Sequence, residues 1–209
     1  GFINASRNTL TTGQPIMENG QLKGFDVNGG RINIEGKGLN DSDADYTQIV
    51  AQSVAVNARL HARELNVVTG RNQVATEGSV TTVKTSDATA RPAYALDVAA
   101  LGGMYANKIT LTGTEKGVGV RNAGELGAGA GELRLTVDGR LENSGTLQSQ
   151  AALQIATQDD QTNSGRILSQ QAVTLASNGT LHNDGTIAAK GNVTLTANGI
   201  ESNGGSALA

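Results

Sequence analysis

One pattern returns every twenty residues from Leu133 to Ala209, and it constrains the fold more than any other feature of the chain. Each copy contains an apolar pair two residues apart, an Asn-x-Gly, and an apolar residue two positions beyond that glycine. The apolar pairs are Leu133/Leu135, Leu153/Ile155, Val173/Leu175 and Val193/Leu195. Self-similarity at a fixed period of this length is typical of a solenoid, in which stacked copies share one continuous core.

The alternation within each copy indicates which kind of solenoid to expect. In Val173-Thr174-Leu175-Ala176 the side chains alternate between two faces, as in a strand. No copy has the i, i+3, i+4, i+7 spacing of a helix, and the L-x-x-L-x-L-x-x-N frame of a leucine-rich repeat is absent. The sequence therefore predicts an all-β fold, a right-handed parallel β-helix with extrahelical loops or hairpins. At about 20 residues per coil and about 4.8 Å per coil, we expect roughly ten coils and a rod near 50 Å.

The Asn-x-Gly turns are predicted to form a structural ladder. Asparagines stacked at the strand spacing of about 4.8 Å can bond amide to amide from coil to coil. The glycines are expected to adopt φ > 0 at the corners. An exposed asparagine row that binds a ligand is the functional alternative, and we favour the ladder. The predicted positions are Asn143, Gly145, Asn163, Gly165, Asn183, Gly185, Asn203 and Gly205.

Composition agrees with a thin stacked core and excludes several classes of function. Aromatic residues make up 2% of the chain, there are 28 glycines and two prolines, and cysteine is absent. The net charge of -3 comes without a basic stripe, which argues against nucleic-acid binding. No apolar run is long enough to span a membrane. The chain opens at Gly1 in strand-like sequence without a signal peptide, so we expect it to be a piece of a longer protein.

Other segments carry weaker predictions. We expect strand, turn and strand over Gly1–Thr12, a turn at Gly13–Pro15, and a hairpin or coil edge over Gly20–Ile34. Tyr46–Asn72 has period-two alternation, which favours consecutive strands over a helix at Gln48–Glu64. Gly78–Pro92 is predicted to be a loop or extrahelical excursion. Gly117–Gly131 lacks the spacing of a phosphate-binding loop, and we interpret it as a flexible corner with a small bulge.

The candidate metal ligands also have a structural interpretation. Asp41, Asp43 and Asp45 have the opening spacing of a calcium loop, but Tyr46 replaces its glycine and Gln52 its bidentate glutamate. A solvated turn is the better interpretation. His61 and His182 lie in different coils and cysteine is absent, so we predict surface histidines and not a zinc site.

A carboxylate pair for glycoside hydrolysis is the remaining catalytic possibility, because such enzymes need two acidic side chains facing one bond. The candidates are Asp138, Asp159 and Asp160, which fall at or beside the turn of the repeat, where polar residues are expected in any case. No G-x-S-x-G, H-E-x-x-H or Cys-His arrangement occurs.

Four runs of the chain lie outside the repeat: Asn57-Ala58, Leu65 to Gly70 followed by Asn72, Leu101 to Ala106, and Asn122-Ala123-Gly124. In this order they resemble the two-partner-secretion or haemagglutination-activity domain of filamentous haemagglutinin and contact-dependent growth-inhibition exoproteins. The family-motif positions are Asn57, Asn66, Thr69, Gly70 and Asn72. The resemblance covers residues 1–126, which predicts the C-terminal portion of that domain there and the start of a repeat shaft at 127–209. The family's Asn-Pro-Asn-type motifs are absent, so the chain resembles a domain that lacks its N-terminal part.

The resemblance implies a non-catalytic secretion and shaft segment of a large bacterial exoprotein, without a cofactor or a metal. Its implied partner is a TpsB-type outer-membrane β-barrel translocator with periplasmic modules. The implied location is the bacterial cell surface, reached through the periplasm, where the full-length protein would serve adhesion or contact-dependent toxin delivery to host or neighbouring bacterial cells. The alternative is a β-helical polysaccharide-active enzyme, which needs a groove of acidic and aromatic residues; the scarce aromatics argue against it.

Overall fold

The computed structural model describes residues 6–209, and in that range the chain consists of strands, turns and corners without a helix. Three parallel sheets of eight strands each enclose a common core. The chain visits the three sheets in turn, so each coil contributes one strand to each sheet and pairs with the coils above and below. The predicted parallel β-helix is confirmed. No helix capable of crossing a membrane occurs among these residues.

The first three coils contain thirteen strands because two of the coils carry an inserted hairpin. They are β1 (Arg7–Thr11), β2 (Gln14–Glu18), β3 (Gln21–Val27), β4 (Arg31–Ile34), β5 (Leu39–Asn40), β6 (Tyr46–Ala51), β7 (Ser53–Val56), β8 (Arg59–His61), β9 (Glu64–Thr69), β10 (Asn72–Ala75), β11 (Val80–Val83), β12 (Tyr94–Val98) and β13 (Gly103–Ala106).

The remaining five coils have three strands each. They are β14 (Lys108–Gly113), β15 (Gly119–Asn122), β16 (Glu125–Ala128), β17 (Leu133–Val137), β18 (Leu141–Asn143), β19 (Thr146–Ser149), β20 (Leu153–Thr157), β21 (Gln161–Asn163), β22 (Arg166–Ser169), β23 (Val173–Ser177), β24 (Thr180–Asn183), β25 (Thr186–Ala189), β26 (Val193–Thr196), β27 (Gly199–Glu201) and β28 (Ser206–Leu208).

Residues 6–209 form eight coils, and the prediction of about ten is wrong. Chain length divided by repeat length gives ten only if β2–β3 and β10–β11 count as coil sequence, whereas these strands leave the β-helix. Eight coils at the strand spacing make a rod of about 38 Å.

The two inserted hairpins form one antiparallel sheet of order β11-β10-β3-β2, which we call the hairpin sheet. It is joined through β3 and β10, where Phe25 pairs with Val74. Both hairpins leave the β-helix at the same corner, directly after a strand of the first parallel sheet, which contains β1, β6 and β9. Phe25 and Val74 pack with Val50 and Val68, which project outward from β6 and β9, in an apolar cluster separate from the main core.

The turn predicted at Gly13–Pro15 is placed wrongly. Gln14 and Pro15 already belong to β2, and the hairpin turns at Asn19-Gly20, where φ is 52° and 76°. Two consecutive residues with positive φ match the twist of a tight antiparallel hairpin, and Asn-Gly is the sequence that favours it.

The main core is a stack of Leu, Ile and Val side chains from all three sheets. In β17, Leu133, Leu135 and Val137 are buried while the residues between them are exposed. The strands expected over Tyr46–Asn72 are confirmed as β6 to β9, with β10 beginning at Asn72.

Two segments differ from their predictions. Gly117–Gly131 is not a flexible corner, because it supplies β15 and β16, two regular strands of the fourth coil. The excursion predicted at Gly78–Pro92 is present, but it starts earlier, at Asn72, and contains two strands, β10 and β11. Of the strand, turn and strand predicted over Gly1–Thr12, the first five residues lie outside the described range, and β1 accounts for the rest.

Candidate functional site

A row of asparagine side chains runs inside one corner of the helix. Asn122 donates to Asn143, Asn143 to Asn163, and Asn163 to Asn183, each through Nδ2 to Oδ1 at 2.9 Å. These four side chains are at most 4% exposed. Their amides join four successive coils and are inaccessible, so they do not form an exposed ligand-binding row.

Asn203 lies outside this row, although the repeat places it there. In the last coil His182 pairs with Glu201, so the strand offset is 19 residues instead of 20. Asn203 is therefore displaced by one position into an exposed corner. The Nδ2 of Asn183 donates instead to the carbonyl of Ser206 at 2.9 Å.

The glycines of the repeat are required for a different reason from the one predicted. Their φ values do not lie in the left-handed region, so the expectation of φ > 0 is wrong. A Cβ on Gly165 would overlap the carbonyl oxygen of Gly145, and a Cβ on Gly185 would overlap that of Gly165. The corner is so tightly stacked that only glycine fits. The column comprises Gly124, Gly145, Gly165, Gly185 and Gly205.

The family-motif positions Thr69, Gly70 and Asn72 lie together where the chain leaves the third coil for the hairpin sheet. Asn72 Nδ2 donates to the carbonyl of Thr69 at 3.2 Å and to Thr114 Oγ1 at 3.0 Å. Thr114 Oγ1 in turn donates to the carbonyl of Thr69 at 2.8 Å. Gly70 has φ of 116°, and a Cβ there would overlap Thr114 Oγ1. Thr69 and Asn72 are fully buried. We call this corner the junction.

A buried glutamate of the fourth coil, Glu115, contacts a side chain of the second coil beside the junction. Gln52 Nε2 donates to Glu115 Oε1 at 3.1 Å and to the carbonyl of Ala90 at 3.2 Å. Glu115 is 2% exposed, and its Oε2 has no hydrogen-bond partner among the described residues. Gln52 and Glu115 belong to coils two apart, and Gly70 in the coil between them has no side chain to separate them. The sequence gives no local signal for this pair.

Asn66 lies at the other end of the β10–β11 hairpin, beside its turn. It projects outward from β9 beneath the turn at Gly78, where a Cβ would overlap the Asn66 amide. The backbone beside this turn is held by Gln48 and Arg7, which both donate to the carbonyl of Thr76, at 3.3 and 2.6 Å. The hairpin is therefore fixed at its root and at its turn.

Asn57 lies apart from the other motif positions, exposed at the corner between β7 and β8. Its N–H donates to the carbonyl of Ile34 at 2.7 Å. The structure brings four of the five motif positions to the hairpin sheet, and Asn57 is not among them.

The acidic residues near the calcium-like spacing do not converge. Asp41 accepts hydrogen bonds from Asn8 at 2.7 Å and from Thr47 at 2.6 Å, whereas Asp45 forms an ion pair with Arg63 at 3.2 Å. Within residues 6–209 no group of three or more His, Cys, Asp and Glu side chains is placed to hold a metal ion.

The carboxylates considered for glycoside hydrolysis do not form a groove with aromatic residues. Asp159 and Asp160 are exposed, and Asp160 Oδ1 accepts from the N–H of Thr180 at 2.8 Å. Burial raises the pKa of Asp138, and the neighbouring charge of Asp159 raises it further. No Phe, Trp or Tyr follows Tyr105 in the sequence.

The two histidines make unrelated contacts. His61 stacks on Tyr105 with ring centroids 5.2 Å apart. His182 lies between two carboxylates, with Nδ1 2.9 Å from Glu201 and Nε2 3.8 Å from Asp160.

Two family profiles match the chain. The TPS secretion domain matches residues 1–143, and the haemagglutinin repeat matches residues 128–185 and 144–209. The strands continue from one coil to the next across the overlap of these matches. The division at residues 126 and 127 stays a prediction.

Relatives include Toxin CdiA of Yersinia pestis, 54% identical over 157 residues, which is 75% of this chain and 5% of that protein. The 16S rRNA endonuclease CdiA of Enterobacter cloacae is 46% identical over 150 residues, 71% of this chain and 4% of its own length. The chain thus spans about 5% of the length of the curated relatives it matches.

The crystal structure of the filamentous hemagglutinin secretion domain is similar with a TM-score of 0.55 and 25% identity, over 95% of this chain and 60% of that one. The shared fold agrees with the profile match, which covers residues 1–143 of 209 and so most of the chain. The chain belongs to the TPS secretion domain family, the two-partner-secretion domain that its motifs resemble.

Proposed function

We propose that this chain is a non-catalytic secretion and shaft segment of a large bacterial surface exoprotein, exported by a TpsB-type outer-membrane translocator. The observation that carries the proposal is the junction. Four family-motif residues, Asn66, Thr69, Gly70 and Asn72, fix the hairpin sheet against the β-helix at both of its ends. Hydrogen bonds among Thr69, Asn72 and Thr114 tie the start of the second hairpin to the fourth coil, and they hold the hairpin sheet in one position.

The hairpin sheet is the surface that we assign to recognition by the translocator's periplasmic modules. Stacked coils present nearly the same surface at every level, whereas the hairpin sheet occurs only beside the first three coils. It also carries exposed apolar side chains, Met17 at 56%, Leu22 at 44% and Val83 at 54%. Exposed apolar groups on a rigid platform are typical of a protein–protein contact.

The eight coils suit passage through a translocator followed by folding outside. Cysteine is absent, so no disulfide can close a loop before transit. Each strand pairs with the strand of the preceding coil, and a newly emerged coil therefore finds a template on the last one folded. We propose that the chain crosses the periplasm unfolded and folds coil by coil at the cell surface.

Adhesion or contact-dependent toxin delivery to host or neighbouring bacterial cells is our proposal for the full-length protein. The names of the relatives describe toxins and nucleases, and this chain overlaps only 4–5% of those proteins. No nuclease activity is therefore assigned to the segment described here.

Secretion tests the proposal directly. The full-length exoprotein is co-expressed with its cognate translocator, and the amount reaching the cell surface is measured. We expect export to depend on the translocator and to fall at least about tenfold in a Met17→Asp, Leu22→Asp, Val83→Asp variant, because charges would disrupt an apolar contact. Ile200→Asp is the matched control, since Ile200 is 54% exposed on β27, outside the hairpin sheet.

Unchanged export of the triple variant would contradict recognition through the hairpin sheet, and export without the translocator would contradict two-partner secretion. The alternative, a polysaccharide-active enzyme, predicts polysaccharide cleavage that is lost in Asp138→Asn or Asp159→Asn. Such turnover would replace the proposal.

A further inference from the structure

The core of the β-helix is thinnest at the sixth coil, which comprises β20, β21 and β22. Three aliphatic side chains of this coil are buried, whereas the fifth coil buries five and the seventh coil buries four. The three in the sixth coil are Leu153, Ile155 and Ile167. Burial of aliphatic side chains is the main favourable term in folding, so the sixth coil contributes less to the stability of the stack than the coils on either side.

Gln161 accounts for part of this difference. It lies in an inward-facing column of the parallel sheet that contains β18, β21 and β24, and it pairs with Leu141 of the fifth coil and Leu181 of the seventh. In the first seven coils the column consists of Ile32, Val54, Leu96, Val120, Leu141, Gln161 and Leu181. Gln161 therefore places an amide where the other coils place an aliphatic side chain.

The buried amide of Gln161 is only half satisfied. The side chain is 3% exposed, and its Nε2 donates to the carbonyl of Ala176 at 2.8 Å. Its Oε1 has no hydrogen-bond partner among the described residues. Gln161 borders a small internal space with Leu141, Leu181 and Ile187, and this space is too small to hold a water molecule. A buried acceptor without a partner costs free energy that a leucine at this position would not.

The register of the stack is nevertheless maintained through the sixth coil. Asn163 bonds to Asn143 above it and to Asn183 below it, both at 2.9 Å, and all three parallel sheets continue through this coil. Alignment is therefore retained where packing is weakest. In a stack whose coils contact only their neighbours, partial unfolding starts where a coil and its two interfaces are least stable.

We propose that the sixth coil is a built-in opening point of the β-helix, from which coils six to eight (β20–β28) unfold as one unit while the first five coils stay folded. The TPS secretion domain matches residues up to 143, in the fifth coil, so this opening point lies directly beyond that match. A shaft built in this way yields under tension before the secretion domain does. The inference goes beyond the proposed function and does not rest on it, because it concerns only the stability of the folded segment.

Native-state hydrogen exchange of the chain tests the proposal, at several urea concentrations below the unfolding transition. We expect the amides of β20–β25 to exchange through one common opening, with protection factors at least about tenfold below those of β14–β19. The step should fall between β19 and β20. A smooth decrease towards the C-terminal end, without a step at the sixth coil, would show ordinary fraying and overturn the proposal.

Gln161→Leu tests the cause of the step. Leucine already occupies the same column in the coils above and below, so the substitution fits the core. We expect the protection factors of β20–β25 to rise at least about tenfold and the step to disappear. The matched control is Gln154→Leu, at a position of β20 that faces away from the core, and it should leave the step in place. A step that persists in Gln161→Leu, or an equal rise in Gln154→Leu, would refute the role of Gln161.

Moving the amide by one coil gives a second test. In Gln161→Leu combined with Leu141→Gln, the step should move to the boundary between β16 and β17, because the fifth coil then carries the buried amide. A step that stays at the sixth coil would contradict the proposal. None of these measurements involves the translocator, so their failure would leave the proposed function standing, and failed export would leave the opening point standing.

Discussion

Gln52 donates a 3.1 Å hydrogen bond to the buried carboxylate of Glu115, although the two residues are 63 positions apart and belong to coils that are not neighbours. The third coil lies between them and contributes Gly70, which has no side chain to occupy the gap. The backbone of Ala90 accepts a second bond from the same Gln52 amide. One side chain thus ties the second coil, the fourth coil and the return of the excursion together.

Replacing Gln52 should destabilise the junction. Gln52→Ala removes the hydrogen-bond donor to a buried carboxyl group, so we expect a loss of about 1–3 kcal/mol in the free energy of unfolding. Urea denaturation measures this value. Gln150→Ala at an exposed corner is the control and should change stability by less than about 0.5 kcal/mol. Equal effects of the two substitutions would show that the Gln52–Glu115 bond is not stabilising.

The asparagine row predicts a position-dependent cost. Asn163→Ala removes the acceptor of Asn143 and the donor to Asn183, and leaves buried amide groups unpaired. We expect a loss of about 1–3 kcal/mol and faster hydrogen exchange in the two neighbouring coils. Asn203→Ala, at an exposed corner beyond the row, should be nearly neutral. A large effect at Asn203 would contradict the register described for the last coil.

The glycine column predicts a steric cost. Gly165→Ala places a methyl group against the carbonyl of Gly145, and the coils must separate locally. The expected loss is about 1–3 kcal/mol, as for overpacked sites. Gly129→Ala is the matched control because Gly129 has ordinary φ and its nearest neighbour would be 3.9 Å from the new Cβ. Thermal unfolding of both variants compares them, and an intact Tm in Gly165→Ala would exclude close stacking as the reason for glycine.

Acid should loosen the hairpin sheet. The hydrogen bond from Lys84 holds the pKa of Asp26 below its ordinary value of 3.8. A carboxyl group with a lowered folded pKa contributes stability above its unfolded pKa of about 3.9, and this contribution is lost as pH falls through the folded value. We expect the protection factors of amides in β3 and β10, which are corrected for the intrinsic pH dependence of exchange, to fall between pH 5 and pH 3 more than those in the last coils. In Asp26→Asn the difference should disappear, and its persistence would rule out the Asp26–Lys84 pair as the cause.

Asp138 should have the opposite effect on stability. Its pKa is raised by burial and by Asp159, so its ionised form is disfavoured in the folded chain. Asp138→Asn should therefore raise stability at pH 7, by up to about 0.5 kcal/mol or about 1–2 °C in Tm. The gain should vanish below about pH 4, where the carboxyl is protonated in both states. A lower Tm at pH 7 would mean that the charge has a favourable partner.

The resemblance to the family identified Asn66, Thr69, Gly70 and Asn72, and the structure brings the last three together at the junction. The residues that surround the junction, Gln52, Thr114 and Glu115, could not be identified from the sequence. Those residues come from other coils, and their approach depends on how the coils stack and on where the chain leaves the helix. Asn122 could be identified, because Asn122 and Gly124 repeat the Asn-x-Gly of Asn143 and Gly145 at a spacing of 21 residues.

The sequence by itself determined the parallel β-helix, the inward-facing positions of the repeat and the family of the chain. Period-two alternation fixes which side chains face the core, and a repeat that cannot bury its apolar face alone must stack on its neighbours. Only the tertiary structure decided that there are eight coils, that two distant hairpins pair into one sheet, and that the repeat glycines are required by their neighbours and not by φ. These properties depend on distances between coils. The neighbours that decide them are about 20 residues away in sequence but only one strand spacing away in space, so the local sequence does not reveal them.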